Sequence, residues 1–420
     1  MNLCIYEDAY SADMHPLTYT RPVFDLRCGV LHLHEKIKIS VLHEKCTYAT
    51  RTFLQDYLQD NNFQMQINSL DPEDTLFVNS RVLPDALFQD SLPKDAQASE
   101  QFFVQNQQIL AAFIPAQRME TVAECIEDGI IRWENFPSDV KRVAVEWATV
   151  RYPWDLINLN AEEIAADIQR LELQPNFNPD HFPYTFAKNK SEVYLGQRVQ
   201  LKPGVVLDAE SGPIFLDDDV IVKPNAVITG PCYIGKKSEI SAGSNITGKC
   251  SFGPVCKVGG EVGQTIIQGY SNKKHDGFLG GAYLGEWVNI GAGTNNSDLK
   301  NNYSTVKVHI NGTPIDTQSQ FVGCMIGDHT KIGIGSTINT GTVIGTGCNI
   351  FGSGFPRKYV PAFSWGNGSH LDEHRLDKML ETARTAMERR DVPLTNSYEG
   401  MLRNVFQQTA TDRADTRSKV

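Results

Sequence analysis

From Leu216 to Val258 an aliphatic or aromatic residue recurs at every sixth position: Leu216, Val222, Ile228, Ile234, Ile240, Ile246, Phe252 and Val258. Two residues before each stands a second, mostly smaller set: Ile214, Val220, Ala226, Cys232, Ser238, Ser244, Cys250 and Cys256. A helix repeats every 3.6 residues and a half-buried strand every 2, so neither gives this period. Six is the repeat of a hexapeptide β-helix, in which each repeat is one short strand plus a corner and three repeats close one triangular coil. The large position points into the prism and the small one packs beside it. Gly, Asn, Asp or Lys fill the corners, where positive φ is often required. The same ladder runs through Leu195, Leu201 and Leu207, resumes at Leu284 and Ile290, and runs again from Ile326 through Ile332, Ile338 and Ile344 to Ile350.

The chain has 420 residues, room for two or three domains. Its formal net charge of −11 argues against non-specific nucleic-acid binding. No apolar run approaches the roughly 18 to 20 residues that span a bilayer. The start, Met1-Asn2-Leu3-Cys4-Ile5-Tyr6-Glu7-Asp8, lacks the basic and apolar regions of a signal peptide, so a soluble cytoplasmic protein is expected. Of nine cysteines none forms a CxxC pair, and Cys232, Cys250, Cys256, Cys324 and Cys348 fall on the small ladder position. They read as small buried apolar residues.

Residues 1–150 alternate short apolar runs with helical spacing, the pattern of a layered α/β domain. Leu3–Tyr6, Thr75–Val78, Phe102–Val104 and Ile109–Ile114 read as strands, and Arg51–Asp60 as a helix. Ligands of such folds bind where strands end and loops begin. Asp25 and Arg27 lie in one such loop, Asn79 and Arg81 in another. The order strand, polar loop, then Pro16-Leu17-Thr18, Arg21-Pro22 and Gly29 resembles the sugar-nucleotidyltransferase family. That resemblance implies a nucleoside triphosphate and a sugar 1-phosphate as substrates, with Mg2+. Arg21, Asp25, Arg27, Asn79 and Arg81 would then serve the nucleotide and sugar phosphate. The family's glycine-rich loop is absent between Tyr6 and Pro16, and Asn79-Ser80-Arg81 stands where the family carries its metal-binding Gly-Asp. The metal ligands are left open, with Asp8, Asp25 and Asp85 as candidates.

Residues 151–190 read as a bridge. Tyr152-Pro153-Trp154-Asp155 opens a helix, with Pro at its first turn and Asp at its positive end. Residues 191–355 carry the ladder and 356–420 a helical tail, Asp372–Arg390, whose last ten residues are expected to be loose. The ladder breaks twice, at Gly259–Gly281 and after Ile290, in polar glycine-rich stretches where function is expected.

The residues at these breaks are more specific. Lys273-Lys274-His275, Tyr283-Leu284-Gly285 and Asn289-Ile290-Gly291-Ala292-Gly293-Thr294 resemble the acetyltransferase half of the bifunctional N-acetylglucosamine-1-phosphate uridylyltransferase/glucosamine-1-phosphate acetyltransferase family. The spacing from His275 to Asn289 is that of the family's catalytic histidine and asparagine. The resemblance implies a left-handed parallel β-helix after an α/β nucleotidyltransferase-like domain, a homotrimer, and acetyl-CoA as co-substrate. It implies His275 as general base, a role suited to an imidazole with an ordinary pKa of about 6.5. Glu261, Lys273, Lys274, Asn289 and Lys300 would contact the acceptor, and Ala292, Asn302 and Tyr303 would line the acetyl-CoA site. Two features depart from the family: Gly263 replaces a lysine, and Asn295–Leu299 are inserted.

The function expected is acetylation of glucosamine 1-phosphate followed by formation of a nucleoside diphosphate N-acetylhexosamine. Three alternatives stay open. They are a nucleotidylyltransferase with a structural β-helix, an inactive hexapeptide scaffold, and a trimeric carbonic anhydrase-like zinc enzyme using His275, His309 and His329.

Overall fold

The ladder closes into a prism. In the computed structural model, which describes residues 1–60, 66–92, 99–368 and 370–417, sheets of six, nine and ten strands form its three faces. Leu216 pairs with Ile234 and Ile234 with Phe252 on one face. Val222, Ile240 and Val258 align on the second, and Ile228 and Ile246 on the third. Each residue pairs with its counterpart three hexapeptides on, so three hexapeptides make one coil. All these ladder side chains are fully buried. The five ladder cysteines are buried among them, and burial pushes the thiols of Cys250, Cys256, Cys324 and Cys348 up to about 12.

The two breaks differ from each other, which the sequence did not separate. In the first, Ser251 pairs with Ile266 and Lys257 with Asn272, so this coil is half a hexapeptide shorter than the regular one. Residues 259–281 therefore stay inside the three sheets, and this break is a shortened coil. The second is a true excursion. Tyr283 pairs with Met325, and the chain between them far exceeds one coil, so the surplus leaves the prism. It carries the hairpin Lys307–Ile310 and Thr313–Asp316. Val306, Val308 and Ile310 bury themselves against Met14 and Leu17 of the first domain.

That first domain is built on a seven-stranded sheet. Asn2–Tyr6 lies parallel to Cys46–Ala49 and to Thr75–Asn79, while Gln101–Gln105 and Gln108–Ile114 form an antiparallel pair. The bridging helix Pro153–Arg170 begins at the expected proline, and Asp155 accepts from the backbone N–H groups of Arg151 and Tyr152 at 2.8 and 2.9 Å. Asp167, fully buried on this helix, accepts from the Val30 and Leu31 amides and from Lys36 Nζ at 2.5 Å. Asn160 accepts from the Gly29 amide and donates to the Lys249 carbonyl. The helix therefore fastens the segment 27–36, which ends in the first turn of the helix Leu33–Ser40, and the prism to one another.

The tail corrects the sequence reading. Leu376–Glu388 lies within the expected helix, but Asn396–Gln408 and Ala410–Arg417 are helical too. Thr395 caps the first of these, and Tyr398, Leu402 and Val405 bury one face at helical spacing. The end expected to be loose is held by Arg413, which pairs with Glu373 at 3.1 Å and sits 4.1 Å from the Phe406 ring centroid. Its last three positions, 418–420, lie outside the described residues. Arg413 thus anchors the last helix.

Ile240→Ala should cost about 2–5 kcal/mol, the usual range for emptying a close-packed aliphatic site. Leu42→Ala, at a position 94 % exposed, should change stability by less than about 0.5 kcal/mol. Urea midpoints that move equally for the two variants would contradict the buried ladder.

Candidate functional site

Parallel pairing stacks outward-facing residues as strictly as inward ones. Along one face Lys257, Asn272, Asn289, Lys331, Asn349 and Trp365 occupy one register column. At about 4.8 Å per strand the column spans roughly 24 Å. The helix Leu376–Glu388 roofs it, and Thr382 and Ala386, with Arg389 just beyond its end, line a groove of about 740 Å³ over the column. The same three residues line a second, adjoining trough of about 900 Å³ that reaches Trp365. The two share one wall and run on along the helix.

His275, Lys274, Asn289 and Ala292 all line the groove, so four of the expected residues come together. His275 is exposed on a tight loop. Lys273 Nζ braces that loop by donating to the His275 carbonyl at 2.6 Å and to the Gly259 carbonyl at 3.0 Å. Gly277, at φ +118°, passes so close to Thr294 that a Cβ there would lie 2.0 Å from its carbonyl oxygen. The loop can take no side chain at that point, and His275 is held toward the groove.

The groove also gathers cations that the sequence reading missed: Lys257, Lys331, Arg389 and Arg390 join Lys274, and among the described residues no carboxylate lines it. Arg390 donates to Asn272 Oδ1 at 2.9 Å. Burial and the neighbouring Arg390 and Lys274 hold Lys257 below the usual lysine range. Burial takes Lys331 down to about 8 while its Nζ donates to the Trp287 carbonyl at 2.5 Å. Glu239 approaches Lys274 to 3.7 Å from outside the lining and offsets only part of this charge. An excess of crowded cations makes a site for an anion. One signal for them was legible: Lys257, Asn289 and Lys331 each precede a ladder residue, Val258, Ile290 and Ile332. The arginines, coming from the tail, had no such mark.

Other expected residues lie elsewhere. Lys273 is buried as the brace described above, and burial lowers it to about 8. Glu261 sits on a different face of the prism, beside Asn245 and Phe278. Lys300 donates to the Thr305 carbonyl at 2.6 Å within the excursion. Asn302 and Tyr303 share that excursion and do not line the groove. His329, 3 % exposed, stacks on Trp287 and its Nε2 lies 2.7 Å from the Tyr398 hydroxyl, a packing role.

The residues expected to take a nucleotide are spent on protein groups. Arg21 bonds Asp328 at 2.5 Å and lies 3.4 Å from Glu286, both on the prism. Thr20 also donates to Asp328, at 2.7 Å. Arg27 is buried against the Val30 carbonyl and His32 Nε2, while Tyr283 and Gln268 hold its backbone. Arg81 bonds Asp8 at 2.6 Å and Gln108 at 3.0 Å, with Asn79 donating to the same Asp8 carboxylate. Glu7, fully buried at the strand end, is closed by Arg51 and Thr50. The candidate metal acids fare alike: Asp8 is neutralised by Arg81, and Asp85 caps a helix by accepting from the Phe88 amide. Asp25, the third candidate, lies apart from these two, grouped with His32 and His34.

Residues 3–175 match the family model described as sugar nucleotidyl transferase. The chain is 37 % identical over 153 residues to the bifunctional protein GlmU of Acidithiobacillus ferrooxidans, covering 35 % of this chain and 32 % of that protein. It is 33 % identical over 207 residues to a bifunctional sugar-1-phosphate nucleotidylyltransferase/acetyltransferase of Sulfurisphaera tokodaii, covering 49 % and 45 %. The chain thus spans less than half the length of these relatives. Among solved structures it overlays Arabidopsis UDP-N-acetylglucosamine acyltransferase at 12 % identity and TM-score 0.29, covering 50 % of this chain and 78 % of that one.

Arg21→Ala leaves buried carboxylates without their cation and should cost about 3–5 kcal/mol. An unchanged chemical-denaturation midpoint would show that the pair carries nothing. Burial raises Asp25 from 3.8 to about 7, against the opposing effect of Arg21. The folded state keeps that proton while the unfolded chain releases it, so stability falls as pH rises from about 4 to 7. Asp25→Asn should therefore raise the melting temperature at pH 8 and leave it nearly unchanged at pH 4. A uniform shift across that range would contradict the assignment. The similarity to a bifunctional nucleotidylyltransferase/acetyltransferase that the residue motifs imply is present in the comparisons, where the Sulfurisphaera relative carries that name and residues 3–175 match a sugar nucleotidyl transferase model.

Proposed function

We propose that the groove catalyses acyl transfer from a coenzyme A thioester to the amine of an amino sugar 1-phosphate. The observation that carries this reading is one loop histidine set in a groove lined by five lysines and arginines. The acceptor's phosphate is held by Lys257, Lys274 and Arg390. Its amine reaches His275, whose neutral imidazole takes a proton as nitrogen attacks the thioester carbon and the thiolate leaves. The donor lies lengthwise under the roof helix, its arm passing Ala292 and Arg389 and its base facing Trp365. The column's length of roughly 24 Å suits a molecule of that extended shape.

Nucleotidylyl transfer, the other half of the expected chemistry, has the family-model match over residues 3–175 in its favour, while the side chains expected to serve it are closed off. Arg21, Arg27, Asn79 and Arg81 are 0–5 % exposed and paired within the protein. In this reading the first domain is a platform that positions the prism and the roof helix. Assembly as a trimer belongs to the same reading, because Ile334, Phe351 and Trp365 leave an apolar edge that a second copy would cover. Sedimentation as a monomer at micromolar concentration would count against it.

His275→Ala should slow acyl transfer by about 100-fold or more, the ordinary loss for a general base, with acceptor affinity little changed. Arg390→Ala should instead raise the acceptor KM and leave kcat nearly intact. If both substitutions leave thiol release at the wild-type rate, the groove is not the site.

A further inference from the structure

Where the first domain, the prism and the tail meet, they enclose a cavity of about 160 Å³ that shares only Tyr270 and Trp287 with the groove. Four rings line it in two pairs, Tyr57 with Tyr398 at 4.8 Å and Tyr270 stacked on Trp287 at 4.5 Å, and His329 also stacks on Trp287. Asp25 and Glu286 supply its acids. The charges around it do not balance. Among the described residues Arg21 is the one lysine or arginine in the cavity wall, and its closest bond, 2.5 Å, goes to Asp328 outside the cavity. That leaves Asp25 and Glu286 at 3.5 and 3.4 Å from the guanidinium. Asp25 is only 7 % exposed, and His32 Nδ1 is 3.6 Å from it. Burial raises both carboxyls above their ordinary range; Glu286 raises Asp25 further, and Asp328 does the same to Glu286.

We propose that this cavity binds a small organic ammonium ion. Ring faces attract a cation through their quadrupoles, and a cage of aromatic rings is how proteins hold ammonium ligands. Above about pH 7 the two carboxylates supply negative charge that Arg21, with Arg27 beyond the wall, offsets only in part. An anion would meet surplus negative charge. A divalent metal is the competing occupant, because Asp25, His32 and His34 bring ligand atoms within 4.8 Å of one another. His34 Nδ1 bonds the Phe24 carbonyl, so Nε2 is the nitrogen it would offer a metal. His32 is not suited to that role. Arg27 Nη2 lies 2.9 Å from its Nε2, and a guanidinium only donates. Nε2 must therefore accept, Nδ1 carries the proton toward Asp25, and no lone pair remains for a metal. A volume of about 160 Å³ corresponds to roughly five waters, which suits an ion of about five to eight heavy atoms. Because all three parts of the chain wall the cavity, such a ligand would tighten their docking, as any ligand of the folded state alone stabilises it.

The test is calorimetric titration and thermal melting of the full chain at pH 8 with choline and tetramethylammonium chlorides, against sodium chloride at equal ionic strength and with methylammonium chloride as an undersized control. The expected result is saturable binding of choline or tetramethylammonium, with a raised melting temperature. Glu286→Gln should weaken that binding at least tenfold. Tyr270→Leu is the second variant, read by the same titration should Glu286→Gln melt non-cooperatively. The proposal is overturned if neither choline nor tetramethylammonium binds, or if binding is undiminished in these variants. It is equally overturned if only zinc or manganese binds and His34→Ala abolishes that binding, which would make the trio a metal site. None of these readouts involves acyl transfer, so they stand or fall apart from the groove's proposed activity.

Discussion

The closure of three hexapeptides into one coil is the constraint on which the rest of the structure depends. Once the coil closes, every residue lies over its counterpart in the next, inside and out. The inner columns become a mostly aliphatic core, and the buried hydroxyls among them, Ser238 and Ser244, donate to the carbonyls of Gly253 and Ser241. The outer columns become straight rows about 4.8 Å apart per rung, and one of these rows is the floor of the groove. Shortened coils keep the stack intact, and the shortest, in which Lys257 pairs with Asn272, leads directly into the loop that presents His275. The longer insertion leaves the stack altogether and spends its apolar residues on the neighbouring domain.

Arg21 is the counterpart at the domain junction. It reaches Asp328 and Glu286 on the prism and Asp25 on its own loop. Removing three carboxylates from water around a single guanidinium is a poor exchange if stability alone is considered. The arrangement fixes the loop 20–32 against the prism, with Arg27, Gln268 and Tyr283 completing the contact. In the structure the loop that reads in the sequence as phosphate-binding has Arg21 and Arg27 held by protein partners. Arginine after a strand is compatible with both roles, and only the location of its partners decides between them.

The fold was legible because its signal repeats. Leu216 to Val258 holds one period without a break, and the prism core follows it residue by residue. His275, Lys274, Asn289 and Ala292 were legible as local motifs, since the loop and the strand that carry them are near in sequence. Arg389 and Arg390 were not, because they lie at the end of a tail helix far along the chain, and Arg390 meets Asn272 only through tertiary packing. Glu261, Asn302 and Tyr303 fell outside the groove for another reason. Nearness in residue order is not nearness in space: a corner in the coil turns Glu261 onto another face, and the insertion carries Asn302 and Tyr303 away. The tail helices were missed where polar composition hid a narrow apolar stripe of Tyr398, Leu402 and Val405.

The central claim is that the groove is the working site and the first domain its platform. Its most direct test incubates the wild-type chain with glucosamine 1-phosphate, acetyl-coenzyme A, Mg2+ and each nucleoside triphosphate, following free thiol and pyrophosphate separately. The prediction is acceptor-dependent thiol release without pyrophosphate. Pyrophosphate without thiol would contradict the claim outright, placing the chemistry among Arg21, Asp25 and Arg81 and leaving the groove as scaffold.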